Sequence, residues 1–249
     1  MAQPATKQSD GGMPVRLRSF RHKGPRPDDL GPAGAFDELF WSHQGATINK
    51  WLHYPEVYDR YFGPFRGRPI RFLEIGVFKG GSMEVWRKYF GDDAVIFGID
   101  IDPSCAQFDG KGGSVRIGSQ DDAGFLKSVV EEMGGVDLIL DDGSHDSVHI
   151  RKSLDALFPL LSEGGVYMIE DLHAAYWPGF SGGYEAETNV FNAVKRMIDD
   201  MHHWYHAEGQ KVGATKDNLA SVHVHDSMVV LEKRRVSRPR YAKKGAGWS

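Results

Sequence analysis

The sequence predicts an α/β fold: a doubly wound, mostly parallel seven-stranded sheet that ends in a C-terminal antiparallel hairpin. Three observations carry that prediction. Short runs rich in Val, Ile and Leu, with glycines beside them, alternate with stretches of helical character between residues 71 and 169, as in successive strand–helix–strand units. Runs such as Leu138-Ile139-Leu140 are apolar throughout, as strands buried on both faces require. The last two strand-like runs, 220–225 and 228–233, are separated only by Asp226-Ser227. That is too short for a crossover helix, so they pair as a hairpin.

Taken in order, residues 1–34 mix Pro, Gly and charge without periodicity and read as a flexible N-terminal arm. Residues 35–68 are dense in aromatics. Among them Trp51, Tyr54, Tyr58 and Tyr61 fall at helical spacing, which fits either a helix packed on the domain or a lid over a site. Strands are expected at 71–77, 94–101, 114–117, 136–140 and 166–169, and helices at 82–90, 121–133, 148–161 and 187–204. The organised domain thus spans 35–233. Residues 234–249 form a basic tail, expected to be disordered and solubilising.

Composition narrows the function. The chain has 249 residues and a net charge of −4, which gives no general attraction to nucleic acid or to anionic membrane. Cys105 is the single cysteine, so an intrachain disulfide and a Cys-based zinc site are excluded. Neither a signal-peptide pattern nor a run of ~18 apolar residues occurs. A cytoplasmic protein without nucleic-acid or membrane partners is expected.

The chemistry concentrates where strands end. Asp141-Asp142-Gly143-Ser144-His145 follows one apolar run and Glu170-Asp171-Leu172-His173 follows the next. The carboxyl ends of parallel strands are where such sheets place ligands. Carboxylates gathered there repel one another unless a cation sits among them. Helix capping by Asp142, Ser144 or Asp146 explains part of the first motif, but not Glu170-Asp171 beyond the next strand. Upstream, Glu74-Ile75-Gly76-Val77-Phe78-Lys79-Gly80-Gly81-Ser82 closes the first strand and opens a helix. Glycine there lets backbone approach a ligand, and a helix N-terminus favours an anionic group. The dinucleotide fingerprint is absent, because Phe78 stands where its second glycine belongs. Glu74 suits a cationic amino-acid cofactor instead. Asp100, ending the second strand, can accept both hydroxyls of a ribose. Ser119, Gln120 and Asp121 follow the third strand and suit an adenine edge, with Ser119 or Asp121 as a helix cap the plainer alternative.

These motifs together resemble the magnesium-dependent sugar O-methyltransferases of macrolide biosynthesis, the mycinamicin and macrocin type, and their cephalosporin-pathway relatives. The resemblance runs from about His43 to Trp177, and the layout of five parallel strands and a hairpin is that of class I methyltransferases, a Rossmann-like fold. It implies S-adenosylmethionine as cofactor, with Glu74 and Gly76 along its methionine and sugar, Ser82 near the carboxylate, Asp100 on the ribose and Gln120 or Asp121 on the adenine. Asp141 is assigned to the cofactor amino group, with the metal shell as its alternative. The resemblance also implies Mg2+ or another divalent cation on Asp142, Glu170 and Asp171, and His145 as general base. A divalent ion lowers the pKa of a bound hydroxyl, and an imidazole accepts its proton near neutral pH. His173, Tyr176 and Trp177 are candidates for contact with a sugar-bearing acceptor, since aromatic rings stack on sugar faces. Beside the mycinamicin type the chain is shorter and is expected to lack a large N-terminal domain, and a homo-oligomer is expected. Two alternatives stand beside this reading: a Rossmann-type oxidoreductase or nucleotide-sugar enzyme, opposed by the missing fingerprint, and a non-catalytic binding module, opposed by the intact acids.

Overall fold

The computed structural model describes residues 20–245. By its contacts the chain divides after Ala33. The described residues of the leading part include a 3-10 turn, Asp28–Leu30, after Pro27. Much of the expected flexible arm, residues 1–19, lies outside the described residues. The main part contains, in order, α1 (Ala35–Ser42), α2 (Tyr54–Phe62), β1 (Arg71–Ile75), α3 (Gly81–Phe90), β2 (Val95–Asp100), β3 (Ser114–Ile117), α4 (Ala123–Met133), β4 (Val136–Asp141), α5 (Ser147–Leu157), β5 (Leu161–Ile169), α6 (Val190–Met201), β6 (Leu219–His225) and β7 (Met228–Lys233).

The strands form one sheet in the order β3-β2-β1-β4-β5-β7-β6. Pairing is parallel from β3 to β5, and β7 runs antiparallel to both β5 and β6. The doubly wound sheet with a terminal hairpin is therefore the observed architecture. Strand order reverses at β1 and β4, the position where open sheets of this kind leave a crevice for ligands. There the register is decisive. Ile75 stands opposite Asp141, and Asp141 opposite Ile169. Just past the strands, Asp142 N donates to Ile75 O at 2.9 Å and Glu170 N to Asp141 O at 3.1 Å. Adjacent strands thus release their acidic ends side by side.

Some boundaries differ from expectation, for local reasons. The helix expected over 148–161 stops at Leu157, because Pro159 cannot continue the helical hydrogen bonding and a 3-10 turn, Phe158–Leu160, follows. The fifth strand starts at Leu161 rather than Val166, with an irregularity in its pairing to β4 between Val136 and Leu138. The last long helix begins only at Val190, where Asn189 accepts from Phe191 N. The cap of α4 is Asp122, which accepts from Gly124 N and Phe125 N, so neither Ser119 nor Asp121 takes that role. Residues 234–245 carry no helix or strand, and the four that follow lie outside the described residues. At the start of this tail Arg234 N and Val236 N donate to Asn218 O and Asp217 O.

Side chains alternate across each strand, so the sheet has two apolar faces. Leu73, Ile99, Ile139, Ile169 and Leu231 pack under α4, α5 and α6. Phe72, Ile96, Leu138, Met168 and Val230 pack under α1, α2 and α3. The second face is built around Trp86 of α3, whose ring centroid lies 4.6 to 5.5 Å from those of Phe36, Phe72, Tyr58 and Phe90. Offset and edge-to-face rings at such distances add to plain area burial. The aromatics at 54, 58 and 61 are buried, so the segment is a helix packed on the sheet. Trp86→Ala should destabilise the protein by about 3–5 kcal/mol, the range for emptying a large aromatic from a packed core. Denaturant unfolding measures it, and a loss below about 1 kcal/mol would show that this cluster does not hold α1 and α2 in place.

Candidate active site

The β1–α3 turn leaves no room for a side chain at Gly76. Its φ is +99°, and a Cβ would lie 2.1 Å from the Asp142 carbonyl oxygen. The turn is latched by Asp100 at the end of β2. Asp100 Oδ2 accepts from Val77 N and Phe78 N, and Oδ1 from Asp102 N, each at 2.9 Å. A carboxylate has about four acceptor directions, and these three donors leave about one, on Oδ1, for a ribose hydroxyl.

Several expected cofactor residues are turned inward. Glu74 is fully buried and accepts from Ser82 Oγ at 2.8 Å and Trp86 Nε1 at 3.0 Å. Burial pushes its carboxyl up to about 7, with the Lys50 charge opposing that shift. Asp141 is likewise buried, accepting from Ser153 Oγ at 2.6 Å, Gln120 Nε2 at 3.1 Å and Tyr167 Oη at 3.2 Å. Gln120 also accepts from Ser144 N at 2.6 Å and so ties the β3 and β4 loops together. Ser119 Oγ donates to Asp121 at 2.5 Å, and Lys152 donates to the other oxygen of Asp121 at 3.0 Å. Ser82, Gln120 and Asp141 therefore support the wall of the crevice from behind.

The acids divide into two sets. Asp142, His145 and Asp171 each offer a ligand atom within 4.8 Å of the others. His145 Nε2 lies 3.6 Å from Asp171 Oδ2 and 4.0 Å from Asp142 Oδ1. Two carboxylates this close, partly open to solvent, fit a hard divalent ion while leaving positions for water or substrate, and the His145 imidazole stands beside them. Their backbone is specialised: His145 and Asp171 both have φ near +56°, a left-handed conformation that side chains other than Gly rarely adopt. Asp146 caps α5 by accepting from Val148 N and His149 N, which frees Asp142 from that role.

Glu170, expected as the third metal ligand, is not part of this cluster. Its side chain points into the interior, 1% exposed, and accepts from Lys50 Nζ at 2.5 Å and from Tyr58 Oη. Lys50 Nζ is also 2.5 Å from Asp142 Oδ2, and Tyr54 Oη donates to Asp171 Oδ1 at 2.7 Å. Burial and the neighbouring charge of Asp142 hold the Glu170 carboxyl well above the usual range. Burial also raises Asp142 despite the attraction of Lys50. For Lys50, burial works against the ammonium, but Asp142, Glu170 and Glu74 together outweigh it and raise its pKa. The sequence reading missed Lys50. Its signal was present in the spacing, since Lys50, Tyr54 and Tyr58 recur every four residues.

On the other rim, His173 Nδ1 lies 2.6 Å from Ser227 Oγ in the β6–β7 turn. Its ring meets Trp51 and Trp177 edge-on, with centroids at 5.2 and 5.1 Å. Burial lowers its pKa. Trp177 therefore stands with His173 beside the acids, whereas Tyr176 is half exposed and packs on Phe191 of α6. The loop that follows is fastened to α5, Ser181 Oγ donating to Asp146 at 2.6 Å.

The family described as "Methyltransferase domain" matches residues 73–172. Two proteins of Streptomyces olivaceus are similar over most of the chain. One is 8-demethyl-8-(2-methoxy-alpha-L-rhamnosyl)-tetracenomycin-C 3'-O-methyltransferase, 36% identical across 85% of this chain and 55% of its own length. The other is 8-demethyl-8-alpha-L-rhamnosyl tetracenomycin-C 2'-O-methyltransferase, 33% identical across 93% of this chain and 67% of its own. Among solved structures, the MycE methyltransferase from the mycinamycin biosynthetic pathway, in complex with Mg, SAH and mycinamycin VI, superposes with a TM-score of 0.69. It is 33% identical over 76% of this chain and 50% of that one. The chain thus spans about half to two thirds of the length of these relatives.

Glu74 generates a pH test. Its carboxyl rises from the usual 4.5 to about 7 on folding, so the stability it contributes is full below about pH 4.5 and is lost as pH passes 7. Measured by denaturant unfolding in chelator, the stability of wild type relative to Glu74→Gln should therefore fall across this window, by on the order of 3 kcal/mol. A difference that stays constant with pH would mean that Glu74 is ionised throughout.

Proposed function

We propose, on the premise that this chain belongs to the sugar O-methyltransferase family of the macrocin, mycinamicin and tetracenomycin type, that it moves a methyl group from S-adenosylmethionine to a hydroxyl of a sugar or glycosylated natural product. The observation that carries this reading is the Asp142, His145 and Asp171 cluster, beside the crevice where β1 and β4 diverge. The cofactor would lie over Gly76, with its ribose on Asp100 and its adenine toward Ser119 and Asp121. Glu74, Ser82, Gln120 and Asp141 would hold the surrounding backbone.

Methyl transfer needs an acceptor oxygen in line with the sulfonium methyl, and that oxygen must lose its proton. Asp142 and Asp171 would hold Mg2+ or a similar ion, which when bound lowers the pKa of the acceptor hydroxyl and orients it. His145 stands between these two carboxylates and takes the proton. Trp177 and Trp51, with His173 between them, would receive the sugar face. The buried aromatic wall and the Trp51 segment exclude water from one side. The net charge of −4 is in keeping with a small sugar-bearing acceptor rather than nucleic acid or an anionic membrane. A cytoplasmic homo-oligomer completes the reading.

Two measurements test it. S-adenosylhomocysteine should raise the melting temperature by mass action on the folded state and NAD should not, and Asp100→Ala should weaken the effect. A shift with NAD alone would return the oxidoreductase reading. With a glycosylated acceptor in hand, chelation should abolish turnover, and His145→Ala should lower it by on the order of 10²- to 10⁴-fold with cofactor binding kept. His173→Ala is run in parallel. If it shows the large loss and His145→Ala does not, the base is His173.

A further inference from the structure

The two-residue link between β6 and β7 holds a conformation that its sequence does not favour. Ser227 has a φ of +63°, a left-handed position where glycine or asparagine is the ordinary choice. Its hydrogen bonds offset that cost. Ser227 O accepts from Leu172 N at 2.9 Å. Ser227 Oγ accepts from His173 N at 3.0 Å and lies 2.6 Å from His173 Nδ1. In the same link Asp226 O accepts from His53 Nε2 at 3.1 Å. The C-terminal hairpin thus reaches the loop after β5 and the segment before α2 together.

A hydroxyl has one hydrogen and two lone pairs. The His173 amide occupies one lone pair of Ser227 Oγ. Were Nδ1–H to donate as well, both lone pairs would be filled and the hydroxyl hydrogen would have to go elsewhere. Tyr54 Oη also stands near, but this phenol already gives its hydrogen to Asp171 and accepts from Asp171 N. An imidazole nitrogen is the stronger acceptor, and it lies at 2.6 Å. The hydroxyl hydrogen therefore points to Nδ1, and the hydrogen of the neutral ring sits on Nε2. Nε2 has no hydrogen-bond partner among the described residues. It lies on the far side of the ring from the link, with Trp51 and Trp177 against the ring at 5.2 and 5.1 Å.

We propose that Ser227 is a positioning residue that fixes His173 as the Nε2–H tautomer, so that His173 presents a hydrogen-bond donor, between two tryptophan rings, to an oxygen of the acceptor. This rests on the methyl-transfer reading given above and deepens it. The acceptor must bring, beside the hydroxyl that is methylated, a second oxygen with a free lone pair. A sugar supplies one on a neighbouring carbon or in the ring itself. The assignment also separates the two imidazoles of the rim. A nitrogen that already carries hydrogen cannot take the proton of the reacting hydroxyl, so His145 keeps that task.

Wild type, Ser227→Asn and Ser227→Asp are compared as 15N-labelled proteins in Mg2+ and S-adenosylhomocysteine. Both replacements tolerate a left-handed φ and have nearly the same shape. The Asn amide donates to Nδ1 as the hydroxyl does, whereas the Asp carboxylate only accepts and draws hydrogen onto Nδ1. Long-range 1H–15N correlation at about pH 8.5, above the histidine range, reads which nitrogen is protonated, with His173→Gln assigning the signals. Wild type and Ser227→Asn should carry hydrogen on Nε2, and Ser227→Asp on Nδ1. Methyl α-L-rhamnoside, titrated as a neutral glycoside, should shift the Nε2 resonance of wild type. Ser227→Asp should bind it roughly two- to tenfold more weakly, the range for one hydrogen bond, while Ser227→Asn stays near wild type. Hydrogen on Nδ1 in wild type, or on Nε2 in Ser227→Asp, overturns the proposal. Equal weakening in both variants does so too, since Ser227 would then be structural only. A glycoside that leaves Nε2 unmoved overturns the donor role. Should a variant fail to fold, the wild-type tautomer and its response to the glycoside still decide. If S-adenosylhomocysteine does not bind wild type, the methyl-transfer reading falls first and the His173 role with it.

Discussion

The structure is arranged around a repulsion. Parallel register sets the ends of β4 and β5 beside one another, and the residues that leave them are Asp142, Glu170 and Asp171. Like charges this close cannot all remain ionised in a half-buried site without compensation. The N-terminal segment answers that demand. Lys50, on the segment before α2, and Tyr54 and Tyr58, one turn apart on α2, each give a donor to one of the acids or bridge two of them. The hydrophobic consequence follows: with those donors fixed, Tyr54 and Tyr58 are carried into the ring cluster around Trp86, and one face of the sheet is covered. Chemistry and core packing are joined through the same side chains.

The fold was legible because it depends on local signals. Apolar runs of strand length, the glycines after them and the two-residue link in the hairpin act over short distances and survive in sequence. The errors at element ends have the same origin, since Pro159 and Asn189 act within a turn and were outweighed by the longer apolar pattern. The site was legible in part. Asp142, His145 and Asp171 are brought together, and His173 and Trp177 face the same rim. Glu170 and Asp141 are turned inward for one reason. A carboxylate at a strand end reads as a ligand-binding group, but which way it turns depends on donors far along the chain. Lys50 lies 120 residues from Glu170, and Ser153 and Tyr167 take Asp141 inward. No local pattern records such pairings.

The cofactor side follows a related principle. Polar groups that the crevice cannot leave unsatisfied are paired behind its surface. Glu74 joins β1 to α3 through Ser82 and Trp86, and Gln120 joins the β3 loop to the β4 loop through Ser144. The surface then presents the remaining acceptor direction of Asp100, on a turn that Gly76 allows to approach closely. Left-handed φ at both His145 and Asp171 adds a cost on the order of 1–3 kcal/mol at each, offset by the hydrogen bonds that over-determine the two loops.

The docking of residues 50–58 bears on what counts as a transplantable unit of this protein. The stretch recognisable by family pattern, 73–172, contains the acids but none of the three donors that neutralise and aim them. A fragment cut before β1, or a chimera that exchanges the segment ahead of it for one of different spacing, would keep every signature residue and inherit an uncompensated pit of charge. A working transplant of this chain therefore needs its breakpoint upstream of Lys50, so that the segment and the strand ends travel as one inheritance.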